Sequence, residues 1–181
     1  MKLLLLTFIF VFVFSLSAFA QLENDREKGV ELFRQGEYEK AIGILQNSVK
    51  TEAEDRLAWI YLGASFVRLK DDDNAVKAFR KTSVIYKKNL PVYEKELKIL
   101  SKSAAAYTEA ARRNRVSGTV KVAVEFGADG KIGFVFPFQI LSDGLTEKAI
   151  NAAKAIKFES AVKNGKPVTV VKTLDYSFST F

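Results

Sequence analysis

The stretch Gly118–Phe126, with the sequence GTVKVAVEF, decides the fold of this chain. Every second residue from Val120 to Phe126 is a large apolar one, and a period of two is typical of a β-strand with one buried face. Asp129-Gly130 follows at the spacing of a hairpin turn, where glycine adopts a positive φ at little cost. The stretch therefore predicts the first strand of a β-hairpin.

The residues after this turn complete the pattern of a small mixed domain. A second alternation has its apolar residues at Ile132, Phe134, Phe136, Phe138 and Ile140. A helical period follows Gly144, with an apolar face made of Leu145, Ala149, Ile150, Ala153 and Ile156. An Asn164-Gly165 turn then precedes a last strand that contains Val168, Val170, Leu174, Tyr176 and Phe178. The predicted order is β-β-α-β.

Residues 107–181 resemble the C-terminal domain of TonB, the family that connects inner-membrane motor proteins to outer-membrane transporters. The resemblance is carried by Tyr107, Gly118-Thr119-Val120, Asp129-Gly130-Lys131-Ile132, Gly144-Leu145, Ala149, Ala153, Ile156-Lys157-Phe158-Glu159, Asn164-Gly165-Lys166-Pro167-Val168 and Tyr176-Ser177-Phe178. Thr108 and Ser160 stand where family members often have proline. The resemblance implies a three-stranded antiparallel sheet, with the last strand at one edge.

Residues 21–90 contain a self-similarity with a period of 34. It is visible in three pairs of positions: Gly29 with Gly63, Ala41 with Ala75, and Leu45 with Phe79. The second unit resembles the tetratricopeptide repeat, which has this period, through Trp59, Leu62, Gly63, Phe66, Ala75 and Phe79. Small residues suit points where two helices cross closely. We predict two helical hairpins, with helices near 23–35, 38–51, 55–69 and 72–87, so the fold class is α+β.

Two such repeats are fewer than the three or so that these arrays usually need. Residues 91–106 are the predicted cover, as a capping helix that leads into the sheet domain. Pro91 suits a first helical turn, and Val92, Leu97 and Leu100 offer an apolar stripe.

The N-terminal residues 1–20 are predicted to be a targeting segment. Lys2 precedes an apolar run, and Ala18-Phe19-Ala20 has the small-x-small form of a signal-peptidase site. The alternative is a retained membrane anchor, since the 18 residues from Leu3 to Ala20 are at the short end of the roughly 17–25 that span a bilayer. Cleavage predicts a periplasmic protein, and retention predicts an inner-membrane one.

Two surfaces are candidate partner-binding sites. Resemblance to the repeats implies a concave groove that contains Arg34, Arg68, Phe33 and Val67, and arginine pairs bidentately with carboxylates of an acidic peptide. Resemblance to the sheet domain implies strand addition along the last strand, at Thr169, Val171, Thr173 and Asp175. Arg112 and Arg113 could steer an acidic partner. The alternative for all these arginines is a solvated surface. The alternative for the last strand is that it only completes a small core, with its edge covered by the repeat domain.

Composition argues against an enzyme. The chain has no His and no Cys, which removes the usual general base near neutrality and thiol chemistry, so no cofactor or metal is predicted. Residues 91–181 carry 14 Lys/Arg and 9 Asp/Glu, a basic balance that suits acidic peptides or a membrane surface better than nucleic acid after export. The predicted function is an exported module that binds envelope proteins, with a membrane-anchored energy transducer as the alternative. A homodimer through the last strand is a third possibility.

Overall fold

The computed structural model describes residues 25–85 and 91–179. It begins with four helices, α1 (25–34), α2 (Tyr38–Thr51), α3 (Arg56–Arg68) and α4 (Asp72–Val84). Asp55 caps α3 by accepting hydrogen bonds from the amides of Leu57 and Ala58 at 3.0 and 3.1 Å. Within the described residues the predicted helix positions are confirmed to within three residues; residues 23–24 of the first predicted helix and 86–87 of the fourth lie outside them.

The two helical hairpins repeat each other in detail. Helix α1 ends with a bond from the Glu37 amide to the Leu32 carbonyl, and α3 ends with the equivalent bond from Asp71 to Phe66, both 2.9 Å long. Such bonds close a helix around a residue with positive φ, which is Gly36 (82°) in the first hairpin and Lys70 (60°) in the second. The 34-residue period of the sequence is therefore a period of the backbone.

The glycines of the repeat allow the helices of each hairpin to cross closely. A Cβ atom on Gly29 would lie 2.6 Å from Cγ of Leu45, and one on Gly63 would lie 2.9 Å from the ring of Phe79. Both contacts are shorter than carbon atoms tolerate, so glycine is required for these crossings. The prediction that small residues lie where the helices cross is confirmed.

Residues 91–179 contain seven strands and two helices. In chain order they are β1 (Lys98–Ser101), α5 (Glu109–Arg113), β2 (Gly118–Phe126), β3 (Ile132–Gln139), α6 (Leu145–Lys154), β4 (Lys157–Glu159), β5 (Ala161–Lys163), β6 (Lys166–Val168) and β7 (Val170–Phe178). Strands β3, β2 and β7 form a three-stranded antiparallel sheet in that order. This confirms the predicted sheet. Two small additional pairs are β1 with β4 and β5 with β6.

The central strand β2 is buried on both faces, so the prediction of one buried face is wrong. Val120, Val122 and Val124 pack against α6, as expected, and are 0% exposed. On the opposite face Ala123 is 0% exposed and Glu125 is 6% exposed. The helical hairpins cover this second face, which alternation within β2 could not reveal.

The prediction of a capping helix over residues 91–106 is also wrong. Lys98–Ser101 is a strand, and Ile99 pairs with Phe158 of β4. Lys95 forms an isolated bridge with Val162. The backbone groups of β4 and β5 need partners at the margin of the core, and the 91–106 segment supplies them. Tertiary pairing outweighs the local preference for a helix.

Within the described residues no helix is long and apolar enough to cross a membrane. The predicted signal peptide or anchor at residues 1–20 lies outside them.

Candidate partner-binding site

The two edges of the three-stranded sheet differ in their suitability for another strand. At the β3 edge the register with β2 shifts twice, and Pro137 lies within the strand. Bulges and proline are devices that protect an edge from further pairing. At the other edge, β7 pairs with β2 over nine consecutive residues without a shift. The regular edge strand β7 is therefore the better template for an added strand.

Side chains from other elements reveal which backbone groups of β7 point away from β2. The Lys102 ammonium donates to the Asp175 carbonyl at 3.1 Å, and the Tyr61 hydroxyl donates to the Thr169 carbonyl at 3.2 Å. Both acceptors belong to odd-numbered residues. Because neighbouring residues of an antiparallel strand point their backbone groups to opposite sides, the amides and carbonyls of residues 171, 173 and 175 face the outer edge.

Two depressions are lined in part by β7. The first has a volume of about 420 Å³ and lies between β7, helix α3 and the 91–97 segment, with Leu57, Ile60 and Tyr93 among its lining residues. The second, of about 490 Å³, lies between α4 and the hairpin-facing side of the sheet. Its lining includes Thr82 and Ser83 of α4, Thr173 to Asp175 of β7, Lys121 of β2 and Phe138 of β3. Both volumes are in the range of about 300–1,000 Å³ that ligand sites occupy.

Arg56 of α3 lines both depressions. Its guanidinium donates to Oγ1 of Thr173 at 2.8 Å and to the Thr82 carbonyl at 3.3 Å. Both acceptors are neutral oxygens. Burial lowers the pKa of Arg56, while the nearby charge of Asp175 acts in the opposite direction. Arg56 thus ties α3 to the edge strand and holds a partly buried positive charge beside it.

The second depression is predominantly basic. Arg56, Lys102 and Lys121 line it together with one carboxylate, that of Asp175. The Lys121 ammonium lies 3.7 Å from Oδ2 of Asp175. The Lys102 ammonium lies 4.6 Å from the centre of the Tyr176 ring. Three cations against one anion give this part of the edge a positive potential.

The four residues predicted on the last strand have different surroundings. Thr169 accepts a hydrogen bond from the Ala128 amide at 3.2 Å, and Val171 is buried under the hairpins with 1% exposure. Thr173 is engaged by Arg56, and Asp175 is exposed. Asp175 is paired with Lys121, so all four side chains contact the chain itself. The carbonyls of Thr169 and Asp175 are bonded as well, by Tyr61 and Lys102.

The predicted open groove of the repeats is filled by the chain's own sheet. Phe33 is 4% exposed and packs between the rings of Tyr38 and Tyr61, at 5.6 and 5.2 Å. Val67 packs into the same cluster, which includes Ala123 and Val171 from the sheet. The prediction that these residues line an open groove is therefore wrong. The apolar second face of the sheet needs a cover, and the helices provide it.

The two predicted groove arginines also contact the chain itself. The Arg34 side chain is 19% exposed and lies 3.6 Å from Glu31. Arg68 forms an ion pair with Glu125 of β2 and lies over the Phe134 ring at 5.5 Å. Of the two, Arg68 thus meets the sheet.

Glu125 is the main polar group between the hairpins and the sheet. Its carboxylate is nearly buried, and burial raises its pKa although Arg68 acts to lower it. A Cβ atom on Gly133 would lie 2.2 Å from Oε1 of Glu125, so glycine at 133 provides the room for this carboxylate. The pair fixes how α3 lies on β2.

Arg112 and Arg113 end the short helix α5 and are exposed. Arg112 lies 5.4 Å from the centre of the Tyr107 ring and 3.7 Å from Glu109. Neither arginine is among the residues that line the two depressions.

Sequence reasoning missed Arg56 and Lys102, the two cations from outside the sheet that reach β7. Arg56 opens α3 directly after its capping residue, and Lys102 follows β1. Neither position carries a local signal of contact with a strand more than 70 residues away. Within the described residues no group of three or more His, Cys, Asp or Glu could hold a metal ion.

Comparisons with known proteins concern the sheet domain. Residues 103–180 match the family model described as the Gram-negative bacterial TonB protein C-terminal. The solution NMR structure of the Pseudomonas aeruginosa TonB C-terminal domain is similar, with 23% sequence identity, 47% of this chain and 87% of that chain covered, and a TM-score of 0.40. No curated protein matches the chain. Residues 103–180 are thus similar to TonB C-terminal domains, a family whose members take part in envelope protein interactions and energy transduction.

Proposed function

We propose that this chain is an exported, non-enzymatic envelope protein that takes up an extended peptide segment of a partner protein along β7. The observation that carries the proposal is the difference between the sheet edges: β7 is a regular, proline-free edge strand beside two depressions. An extended peptide gains affinity from main-chain hydrogen bonds with such an edge, and flanking pockets select its side chains.

In this proposal residues 21–90 are two tetratricopeptide-type repeats, and residues 107–181 are the TonB-type domain. The repeated backbone bonds and glycine contacts at a spacing of 34 support the first part, and the family match supports the second. The repeats do not act as a separate open groove. They cover one face of the sheet and contribute α3 as a wall beside the edge strand.

A backbone substitution tests strand addition. Thr173→Pro removes an outward-facing amide, and proline is tolerated in an edge strand at such a position. Thr173→Val is the matched control, because it also loses the hydroxyl bonded to Arg56 but keeps the amide. The full chain and both variants would be purified from envelope fractions and used to isolate partners from envelope extract.

We expect the unmodified chain and Thr173→Val to retain the same partner, and Thr173→Pro to lose it while unfolding at a similar temperature. In the retained complex, hydrogen exchange should slow at the amides of Val171, Thr173 and Asp175. Equal retention by Thr173→Pro, or unchanged exchange at these amides, would contradict the proposal.

A second candidate function is that of a membrane-anchored energy transducer, which the family match favours. In that case residues 1–20 remain as an anchor and the TonB-type domain pulls on an outer-membrane transporter. Deletion of the gene, followed by measurement of transporter-dependent uptake, separates the two. An uptake defect that only an uncleaved form restores favours transduction, whereas normal uptake favours the binding module.

A further inference from the structure

The charged side chains beside β7 favour particular peptides over others as the added strand. We propose that the peptide added along β7 bears an Asp or Glu side chain on its hairpin-facing side, beside Thr173, and that Arg56 with Lys102 and Lys121 binds this carboxylate. The inference rests on the proposed strand addition and names the chemistry of its partner.

Arg56 is a partly buried cation beside the edge strand. Its guanidinium is partly buried, donates to two neutral oxygens and pairs with no carboxylate within residues 25–85 and 91–179. An arginine is commonly paired when it is withdrawn from water. A carboxylate that entered the second depression would supply the missing partner, with the forked geometry that arginine favours.

Arg56, Lys102 and Lys121 line the same depression. Lys102 already donates to the outward carbonyl of Asp175, and Lys121 lies near the carboxylate of that residue. One acid among three cations leaves an excess of positive charge in the depression beside β7, on the hairpin-facing side of the sheet. This excess is complementary to an anionic residue of the incoming peptide.

The register follows from strand geometry. Directly opposite residues of paired strands place their side chains on the same face of the sheet. Thr173 faces the hairpins, because Arg56 of α3 bonds its hydroxyl. The residue of the added strand beside Thr173 therefore faces α3 as well, and its carboxylate would reach Arg56.

The absence of cysteine from the chain permits a tethering experiment. Ser83→Cys places one thiol in the second depression, where Ser83 is an exposed lining residue. The probes are two acetylated, amidated nine-residue peptides of alternating Thr and Val, each with a terminal Cys and a central Glu or Gln. Each peptide forms a disulfide with the introduced thiol in the presence of 2-mercaptoethanol, which competes for that thiol. The fraction of protein that carries the peptide is measured by intact-mass spectrometry.

We expect the Glu peptide to be tethered about fivefold or more over the Gln peptide, the effect of roughly one charge-assisted bond at a partly exposed site. Arg56→Gln should reduce this preference to about one. Arg56→Lys should retain part of it, because the charge remains. Arg113→Gln, an exposed arginine of α5, makes the same change in net charge and should retain the full preference. Thermal unfolding checks that each variant is folded.

Hydrogen exchange at the amides of Val171 and Thr173 in the tethered adducts separates the two proposals. Protection by both peptides without a preference for Glu would keep strand addition and overturn this inference. A preference for Glu without protection would indicate a simple anion site and overturn it too. The absence of both amide protection and a preference for Glu would overturn both proposals.

Discussion

The two faces of the central sheet are covered by different means. On one face α6 packs Leu145, Ala149 and Ala153 against the valines of β2, and the contacts are those of apolar side chains. On the other face the helical hairpins cover Ala123 and Val171, together with rings from β3. This second face also contains polar links, from Arg68 to Glu125, from Arg56 to Thr173 and from Tyr61 to Thr169.

The difference shows that one sheet can have a face that stabilises it and a face that attaches it to the hairpins. We call the polar links of the second face the polar joint. Apolar contacts supply most of the free energy of folding but little orientation. Hydrogen bonds and ion pairs contribute less on balance, yet they are costly to leave unmade and so fix one arrangement. The α6 face therefore stabilises the sheet domain, and the hairpin face determines where the hairpins lie on it.

The largest expected effect tests the α6 face. Phe126 is 0% exposed and its ring meets that of Phe158 at 5.0 Å in an edge-to-face contact. Phe126→Ala should lower the free energy of unfolding by about 3–5 kcal/mol, because it removes apolar contacts and leaves a cavity. Urea denaturation measures the change. Phe134→Ala, at a half-buried ring on the hairpin face, should cost less, and the reverse order would contradict the comparison.

The next effect tests the polar joint. Arg68→Ala leaves the Glu125 carboxylate nearly buried without its partner. Removal of one member of a fully buried pair costs about 3–5 kcal/mol, and because the Arg68 side chain is 35% exposed we expect about 2–3 kcal/mol by urea denaturation. Arg113→Ala, at an exposed position, is the control and should change stability by less than about 0.5 kcal/mol. Equal losses of stability in the two variants would show that the Arg68–Glu125 ion pair does not stabilise the folded chain.

A smaller effect tests the hairpin packing that supports the joint. In Gly63→Ala the new Cβ would meet the Phe79 ring, which itself lies 5.5 Å from the Phe138 ring of β3. The ring cannot move freely, so we expect a loss of about 1–3 kcal/mol in thermal or urea unfolding. Gly43→Ala is the matched control within α2. Nothing lies within 4 Å of its Cβ position, so alanine should stabilise by about 0.5–1 kcal/mol. Stabilisation by both substitutions would contradict the proposed close crossing.

The last prediction concerns pH. Burial raises the pKa of Glu125 above 4.5, its ordinary value. The folded state therefore binds more protons than the unfolded state between 4.5 and the folded pKa, and the free energy of unfolding decreases as pH rises through this window. Glu125→Gln lacks this dependence. Its stability relative to the unmodified chain should rise with pH across the window and stay constant above it. A relative stability that falls with pH would reverse the assigned direction.

Sequence reasoning was most successful where the signal is local. Alternation in Gly118–Phe126 and the helical period after Gly144 led to the correct strand, helix and α6 face. The Asn164-Gly165 turn adopts positive φ at both residues, as its sequence indicates. The 34-residue period correctly located the four helices. In each case the deciding contacts are made by residues close in the chain or related by a fixed spacing.

Sequence reasoning failed where a surface had two possible covers. The 91–106 segment carries an apolar stripe that suits a helix, but its partner strand begins at Lys157, far along the chain. The groove residues Arg34 and Arg68 have the spacing of an open binding face. Whether that face meets solvent or the sheet depends on contacts between residues more than 50 positions apart in the chain. The period of the apolar residues carries no information about such contacts.

The sequence by itself determined four helices in two related hairpins and the β-β-α-β order of β2, β3, α6 and β7. These follow from the period of apolar residues and from turns that need positive φ. Only the tertiary structure decided that the hairpins occupy the second face of the sheet, that the 91–106 segment is extended, and that Arg56 lies beside the open edge. The physical reason is that exposed apolar faces and unpaired backbone groups are satisfied by whichever partner the whole fold brings to them.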